Sequence, residues 1–424
     1  MLMRFSLLAC LLAFAQPPSP PPARAFSGAT LIDGTGRPAV TNAVLIVRDR
    51  KIVAAGPAAT VTVPKDAQRV DLTGRFLMPG IVNAHGHVGA TVGLENRADG
   101  YTRENLLRQL GLYARYGVTT VVSLGDDREA GFQLRAENDR PDLNRSRLYV
   151  AGPVISAKTP DEARNAVDAV AKLRPDWIKI RVDDNLGTTE KMRPDVYRAV
   201  IARAHEHQLR VAAHIFYLAD AKDLLRAGVD YLAHSVRDAP VDREMVDLMK
   251  ARNVCLCPTL MREVSTFVYE STPAFFSDSL FLTHANRAWM ATVSEPARQQ
   301  AMRTSTAAQR YKVALEVASR NLRRLSDAGV TIAMGTDTGP MGRFQGYFEL
   351  MELELMVKAG LTPRQALTSA TRDAARCTKL DRDLGTLEPG KWADFVVLDG
   401  NPLAEISNVR RIASVWIAGN QVPR

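Results

Sequence analysis

Short runs rich in β-branched and other apolar residues recur through the middle of the chain. Each is followed by a stretch in which apolar residues return every three or four positions. The runs centre on 81-IVNAHGHV-88, 118-VTTVVSLGD-126, 148-LYVAGPVIS-156, 177-WIKIRVD-183, 209-LRVAAHIF-216, 229-VDYLAHS-235, 253-NVCLCPTL-260 and 330-VTIAMGTDTG-339. Amphipathic stretches such as 161-DEARNAVDAVAKL-173 and 194-PDVYRAVIARAHEH-207 lie between them. Strand followed by helix, repeated in this way, predicts an α/β protein built on a (β/α)8 TIM barrel over residues 81–382. One connection, residues 261–328, is much longer than the rest and helical in pattern. It is expected near the barrel mouth as a lid or specificity element.

Both ends break this rhythm. Residues 28-GATLIDGTGRPAVTNAVLIVRDRKIVAAG-56 and 383-DLGTLEPGKWADFVVLDGNPL-403 are strand-and-turn sequence punctuated by Gly, Pro and Asp-Gly, and so is the tail 411-RIASVWIAGNQV-422. Segments 26–80 and 383–424 are therefore expected to form one small β-sandwich domain beside the barrel. Residues 1–25 differ again: a short basic start to Arg4, an apolar run from Phe5 to Ala15, then 16-QPPSPPP-22 and the small-residue site Ala23-Arg24-Ala25. This is the layout of a cleaved signal peptide, too short in its apolar part to anchor in a bilayer, with Ala13-Phe14-Ala15 as a second candidate site. It predicts a secreted or periplasmic protein.

Composition narrows the function classes only a little. The 424 residues are 46% hydrophobic and 24% charged, as in an ordinary soluble globular protein. The net charge of +9 is scattered among acids, with no basic run interleaved with aromatics, so nucleic acid is not an expected partner. A small-molecule substrate is, and self-association is left open. Without the leader, Cys255, Cys257 and Cys377 remain. Cys255 and Cys257 are two apart in a strand, share a face and cannot bond each other, so the three are expected as core packing rather than disulfides.

Four of the seven histidines lie at or near C-terminal ends of expected strands, which is the catalytic end of a barrel. Alternation puts His85 and His87 on one face, where both imidazoles can converge on an ion. His214 and His234 end the fifth and sixth strands. Asp337, between the glycines of 335-GTDTG-339, ends the eighth and has the chemistry to bind metal and carry a proton. Lys179 sits in the apolar strand 177-WIKI-180, where burial favours the neutral amine. Residue reading leaves two fates open for it: a carbamate made with carbon dioxide, or pairing with a carboxylate such as Asp183. His205 and His207 lie on an expected helix without sharing a face and read as structural, while His284 lies in the long connection.

With these motifs in this order, the chain resembles the amidohydrolase superfamily, in its imidazolonepropionase-like and prolidase-like branch. The likeness runs from 31-LIDGTG-36 through 79-PGIVNAHGHV-88, 176-DWIKI-180, 214-HIFY-217, 228-GVDYLAHS-235 and 335-GTDTG-339 to 385-GTLEPGKWADFVVLDGNPL-403. The resemblance implies two divalent metal ions, zinc or similar. His85, His87 and Asp337 would hold the first, His214 and His234 the second, and a carboxylated Lys179 would bridge them. It also implies hydrolysis of an amide C–N bond, in a dipeptide, an N-acyl amino acid or a related small molecule, by a metal-bridging hydroxide with Asp337 as proton shuttle. Asn83 stands where many relatives carry Asp.

Tyr217 and Arg237 are expected to hold a substrate carboxylate, with Met261, Arg262, Met341 and Arg343 as weaker candidates. The rival readings are a one-metal deaminase or cyclic-amide hydrolase, a lactone, ester or carbamate hydrolase, and a metal-binding protein without catalysis.

Overall fold

The computed structural model describes residues 22–93 and 95–423. Parallel ladders join Ile81–Gly86, Val118–Ser123 and Arg147–Val150 in one group. Ile178–Val182, Val211–Ile215, Tyr231–Ala233 and Cys255–Cys257 form a second. Single parallel bridges then complete the circuit: Ile155 to Ile180, Leu256 to Ile332, and Gly86 to Thr338. The pairing returns to the strand it started from, a TIM-barrel-type α/β arrangement with all strands pointing one way.

The eighth position is bridges rather than a ladder because its backbone must pass close to its neighbours. A Cβ on Gly335 would lie 2.5 Å from Cys257 Sγ and 2.7 Å from the His85 nitrogen, and one on Gly339 would lie 2.4 Å from the His87 carbonyl oxygen. Only glycine fits there, and the segment is thereby pressed against the two histidines.

The helices start where their sequences say they should. Thr102, Thr159, Asp242 and Ser305 each accept a hydrogen bond from a backbone N–H in the first turn, satisfying donors that the helix leaves open. In Thr306–Asp327 the buried residues Tyr311, Ala314, Ala318, Leu322 and Leu325 recur at three- and four-residue steps, the stripe that docks a helix on a barrel. The long connection is helical. It comprises Leu260–Val264, Ser279–His284, Arg287–Val293, Pro296–Thr304 and this last helix. Edge-to-face contacts of Phe275 with Phe281, Phe344 and Phe348 tie it to the segment after the eighth strand.

Strands from the two chain ends share one eight-stranded sheet. Its order is Asn420–Gln421, Ile412–Ile417, Phe395–Leu398, Phe76–Pro79, Arg24–Leu31, Val40–Arg48, Lys51–Pro57, with Gln68–Asp71 also pairing with Arg24–Leu31. Phe26 packs edge-on against Phe395 and Trp416 in its core. A buried ion pair, Arg147 Nε to Asp394 Oδ2 at 2.7 Å, joins barrel to sheet.

Two expectations meet the structure differently. Most of the leader lies outside the described residues, but Arg24 and Ala25 pair with Val47 and Ile46, and Ala23 and Ala25 are fully buried. The expected leader boundary at Ala25 thus falls inside a strand; the alternative site at Ala15 lies outside the described residues. The cysteine expectation is overturned: Cys255 and Cys377 form a disulfide with Cα atoms 6.0 Å apart, and Cys257 is buried and free. Strand alternation excluded a bond within one strand but said nothing of the helix Arg372–Thr378, which packs against the barrel and delivers Cys377 to Cys255.

Candidate metal centre

All six expected ligands line one cavity of about 630 Å³. His87 Nε2 lies 2.9 Å from Asp337 Oδ1, and His85 Nε2 lies 3.5 Å from the same oxygen. Ligand atoms of His85, His87 and Asp337 all lie within 4.8 Å of one another, a span one cation can bridge. His234 stands beside them, its ring centroid 4.7 Å from that of His85 and 4.1 Å from that of His214. Lys179 Nζ is buried among them, 3.3 Å from His85 Nε2.

The outer nitrogens of three of these rings are already held. His87 Nδ1 faces the Gly125 carbonyl at 3.3 Å, His214 Nε2 faces Asp183 Oδ2 at 2.6 Å, and His234 Nδ1 faces Thr259 Oγ1 at 2.6 Å. That leaves His214 Nδ1 and His234 Nε2 for the cavity. His234 Nε2 is buried and has no hydrogen-bond partner among the described residues, whereas His85 faces the site through Nε2 and it is its outer Nδ1 that lacks a partner. A buried polar atom without a partner is costly, and an imidazole oriented by an outer oxygen is the usual form of a metal-binding histidine. The donor set therefore fits divalent ions. His234, Thr259 and Asp337 also adopt left-handed backbone, with φ of 77°, 51° and 59°. Such strain in residues other than glycine gathers at functional sites.

Charge states follow from burial. Desolvation pushes His214 down to about 3 and takes His85 and His234 well below the usual imidazole value, so all three are neutral, the ligating form. Burial brings Lys179 down to about 8, within reach of the free amine. Burial would raise Asp337, but the Arg343 guanidinium and the His87 hydrogen bond hold it well below the usual carboxylate range. Asp183, named as a partner for Lys179, is taken by His214 instead.

Behind the first strand, Asn83 Oδ1 accepts from the His85 backbone N–H at 3.0 Å while its amide donates to Glu349 Oε1 at 2.6 Å. Glu349 also accepts from Thr336 Oγ1 and Thr338 Oγ1, the residues flanking Asp337. One buried acid thus sets the spacing of the first and eighth strands. Thr259, Asp183 and Glu349 were not picked out as site residues by sequence. The available signal for Thr259 was its position just past the seventh strand; for Glu349 there was none, because it lies on the helix Tyr347–Lys358, outside the ligand motifs.

The two expected substrate residues lie elsewhere. Arg237 is buried, donates to Glu263 and to the Ile215 carbonyl, and does not line the cavity. Tyr217 donates to Asp184 Oδ1 at 2.8 Å and is likewise outside the lining. The weaker candidates Arg262 and Arg343 do line it. His205 and His207 are hydrogen-bonded at the surface to Asp230 and Asp168, at 2.9 and 2.6 Å. His284 lines a neighbouring cavity.

The model of the amidohydrolase family matches residues 76–422. This chain belongs to that family. It is an enzyme acting on carbon–nitrogen bonds. An ochratoxinase from Aspergillus niger is 25% identical over 92% of this chain and 84% of its own. Imidazolonepropionase from Deinococcus deserti is 41% identical over 24% of this chain and 26% of its own. A Bifidobacterium longum protein assigned as a prolidase superposes with a TM-score of 0.76 at 26% identity, over 95% of both chains. Among the described residues no helix is long and apolar enough to cross a membrane.

Proposed function

We propose that the enzyme is a binuclear metal-dependent hydrolase that cleaves the amide bond of a dipeptide, an N-acyl amino acid or a related small molecule. The observation that carries this reading is the convergence of His85, His87, Lys179, His214, His234 and Asp337 on one cavity, with His234 Nε2 buried and unpartnered. His85, His87 and Asp337 would hold one ion, His214 through Nδ1 and His234 through Nε2 the other, and a carboxylated Lys179 both. The carbamate forms when the neutral Nζ bonds to the carbon of carbon dioxide and loses one proton to solvent. Bound there, zinc or a similar ion supplies Lewis acidity, making water a better nucleophile near neutral pH and polarising the scissile carbonyl.

The chain's own part is proton transfer and positioning. Asp337, ionised at working pH, accepts a proton from the attacking water and delivers it to the leaving nitrogen. Its backbone N–H donates to the His85 carbonyl oxygen at 2.7 Å, which fixes the carboxylate relative to the first metal position. The names of the relatives, ochratoxinase and prolidase, support an amide as the bond cleaved. The Cys255–Cys377 disulfide supports a secreted or periplasmic setting, in which the enzyme would scavenge such compounds.

The test is a hydrolysis screen of N-acyl amino acids and dipeptides before chelation, after chelation, and after zinc is returned. Turnover that disappears and returns is expected; turnover indifferent to chelation contradicts the reading.

A further inference from the structure

A separate cavity of about 340 Å³ opens beside the helix Arg103–Arg115 and shares no lining residue with the metal-centre cavity. Arg103, Leu107, Gly111 and Arg115 recur at four-residue steps and form one wall from a single helix face. The wall is open at Gly111, where an added Cβ would meet nothing within 4 Å. Glu137, Arg140, Asp142 and Arg145 supply the other wall. Arg145 stands just before the strand Arg147–Val150, at the end of the barrel opposite to the metal centre.

Four guanidiniums and two carboxylates thus line this cavity. Both carboxylates are taken: Glu137 by Arg103 at 2.7 Å and Asp142 by Arg140 at 3.0 Å. Arg145 is only 6% exposed and forms no ion pair among the described residues. It donates through Nη2 to the Leu134 carbonyl at 2.8 Å and through Nη1 to the Ser146 carbonyl at 2.9 Å. The first bond caps the helix Glu129–Ala136; Nε and the second hydrogen of each Nη have no acceptor among the described residues. Burial, with Arg103, Arg147 and Arg140 nearby, pushes this guanidinium down to about 10, against the pull of Glu137. Arg115 makes one bond, from Nε to the Pro423 carbonyl at 3.3 Å.

A buried charge that meets only neutral carbonyls is costly, and an anion entering the cavity would remove that cost. The surplus of two positive charges matches the near-dianion that a phosphate group is at neutral pH, whose oxygens accept from several guanidiniums at once. We propose that this cavity binds a phosphate group, free or as a small ester, with Arg145 as the buried anchor and Arg115 and Arg140 at the rim. Leu107, 37% exposed, offers apolar contact to the carbon part of an ester. The site is independent of the hydrolase reading.

The test titrates inorganic phosphate, glycerol 3-phosphate and acetate into the chelator-treated full chain at constant ionic strength, followed by calorimetry, so that no metal can hold the anion. Phosphate is expected to saturate one site and to bind at least about ten-fold more tightly than acetate. Arg145→Met should weaken it about 10- to 100-fold, the worth of charged hydrogen bonds at a buried group, and Arg115→Gln and Arg140→Gln less. Equal binding of phosphate and its ester assigns the site to the free ion, and tighter binding of the ester assigns it to the ester. Absence of saturable phosphate binding, or no preference over acetate, overturns the proposal. So does binding undiminished in Arg145→Met or, should that variant fail to fold, in both rim variants.

Discussion

Removing the Cys255–Cys377 cross-link has an effect that can be worked from its place in the chain. The bond closes a loop with a sequence separation of 122. Loop-closure entropy of about 2.1 + 1.5R ln n cal/mol/K then amounts to about 5 kcal/mol at 25 °C, acting on the unfolded chain. With an unfolding entropy of about 2.1 cal/mol/K per residue over roughly 400 residues, that lowers Tm by about 6 °C. The bridged strand, Cys255–Cys257, leads directly to Thr259, which orients His234, and to Arg262. The assay is thermal unfolding of the metal-free chain with and without reductant, alongside the double variant Cys255→Ala/Cys377→Ala. A thiol count on denatured protein lacking residues 1–21 should give one group before reduction, from Cys257, and three after. Three thiols before reduction, or a Tm unmoved by reductant, would refute the reasoning and return all three cysteines to plain core packing.

Other substitutions test separate parts of the site. Asp337→Asn should retain much of the metal and lower kcat by about 10²- to 10⁴-fold, the usual worth of a positioned proton carrier; steady-state kinetics at full metal loading would show it. Thr259→Val removes the partner of His234 Nδ1 and should weaken metal binding about 10- to 100-fold, read by competition with a chromogenic chelator. Glu352, which accepts from the Leu260 and Met261 backbone N–H groups at 2.8 and 2.6 Å, is pushed up to about 8 by burial, so the folded state holds its proton more tightly than the unfolded state. Its contribution is therefore complete below the unfolded pKa and is lost as pH rises through the folded one, and urea midpoints of the metal-free chain should fall from about pH 4.5 to 8 less steeply in Glu352→Gln.

The barrel-type arrangement and the side chains that line its cavity were legible because both depend on local pattern. Period-two alternation put His85 and His87 on one face, and the rule that functional groups gather at strand C-termini brought His214, His234 and Asp337 to the same mouth. Lys179 stood out as a charged residue in an apolar strand. What could not be read depends on partners distant in sequence. Arg237 and Arg262 both follow strand ends and look alike on paper, yet Glu263 and the Ile215 carbonyl hold the first behind the cavity wall while the second lines the cavity. The disulfide pairs a strand with a helix that the strand pattern does not place, and the strand at Arg24 depends on Val40–Arg48 to pair with. Asn83 and Glu349 act as a unit only once the first strand and the helix after the eighth are packed together.

Metal content per chain, by elemental mass spectrometry on unaltered protein and Lys179→Ala purified without chelator, tests the central claim most directly. The account predicts about two divalent ions in the unaltered chain and fewer in the variant, because Lys179 joins the two sites. One ion in both would contradict it, leaving Lys179 a structural residue beside a single His85, His87 and Asp337 site.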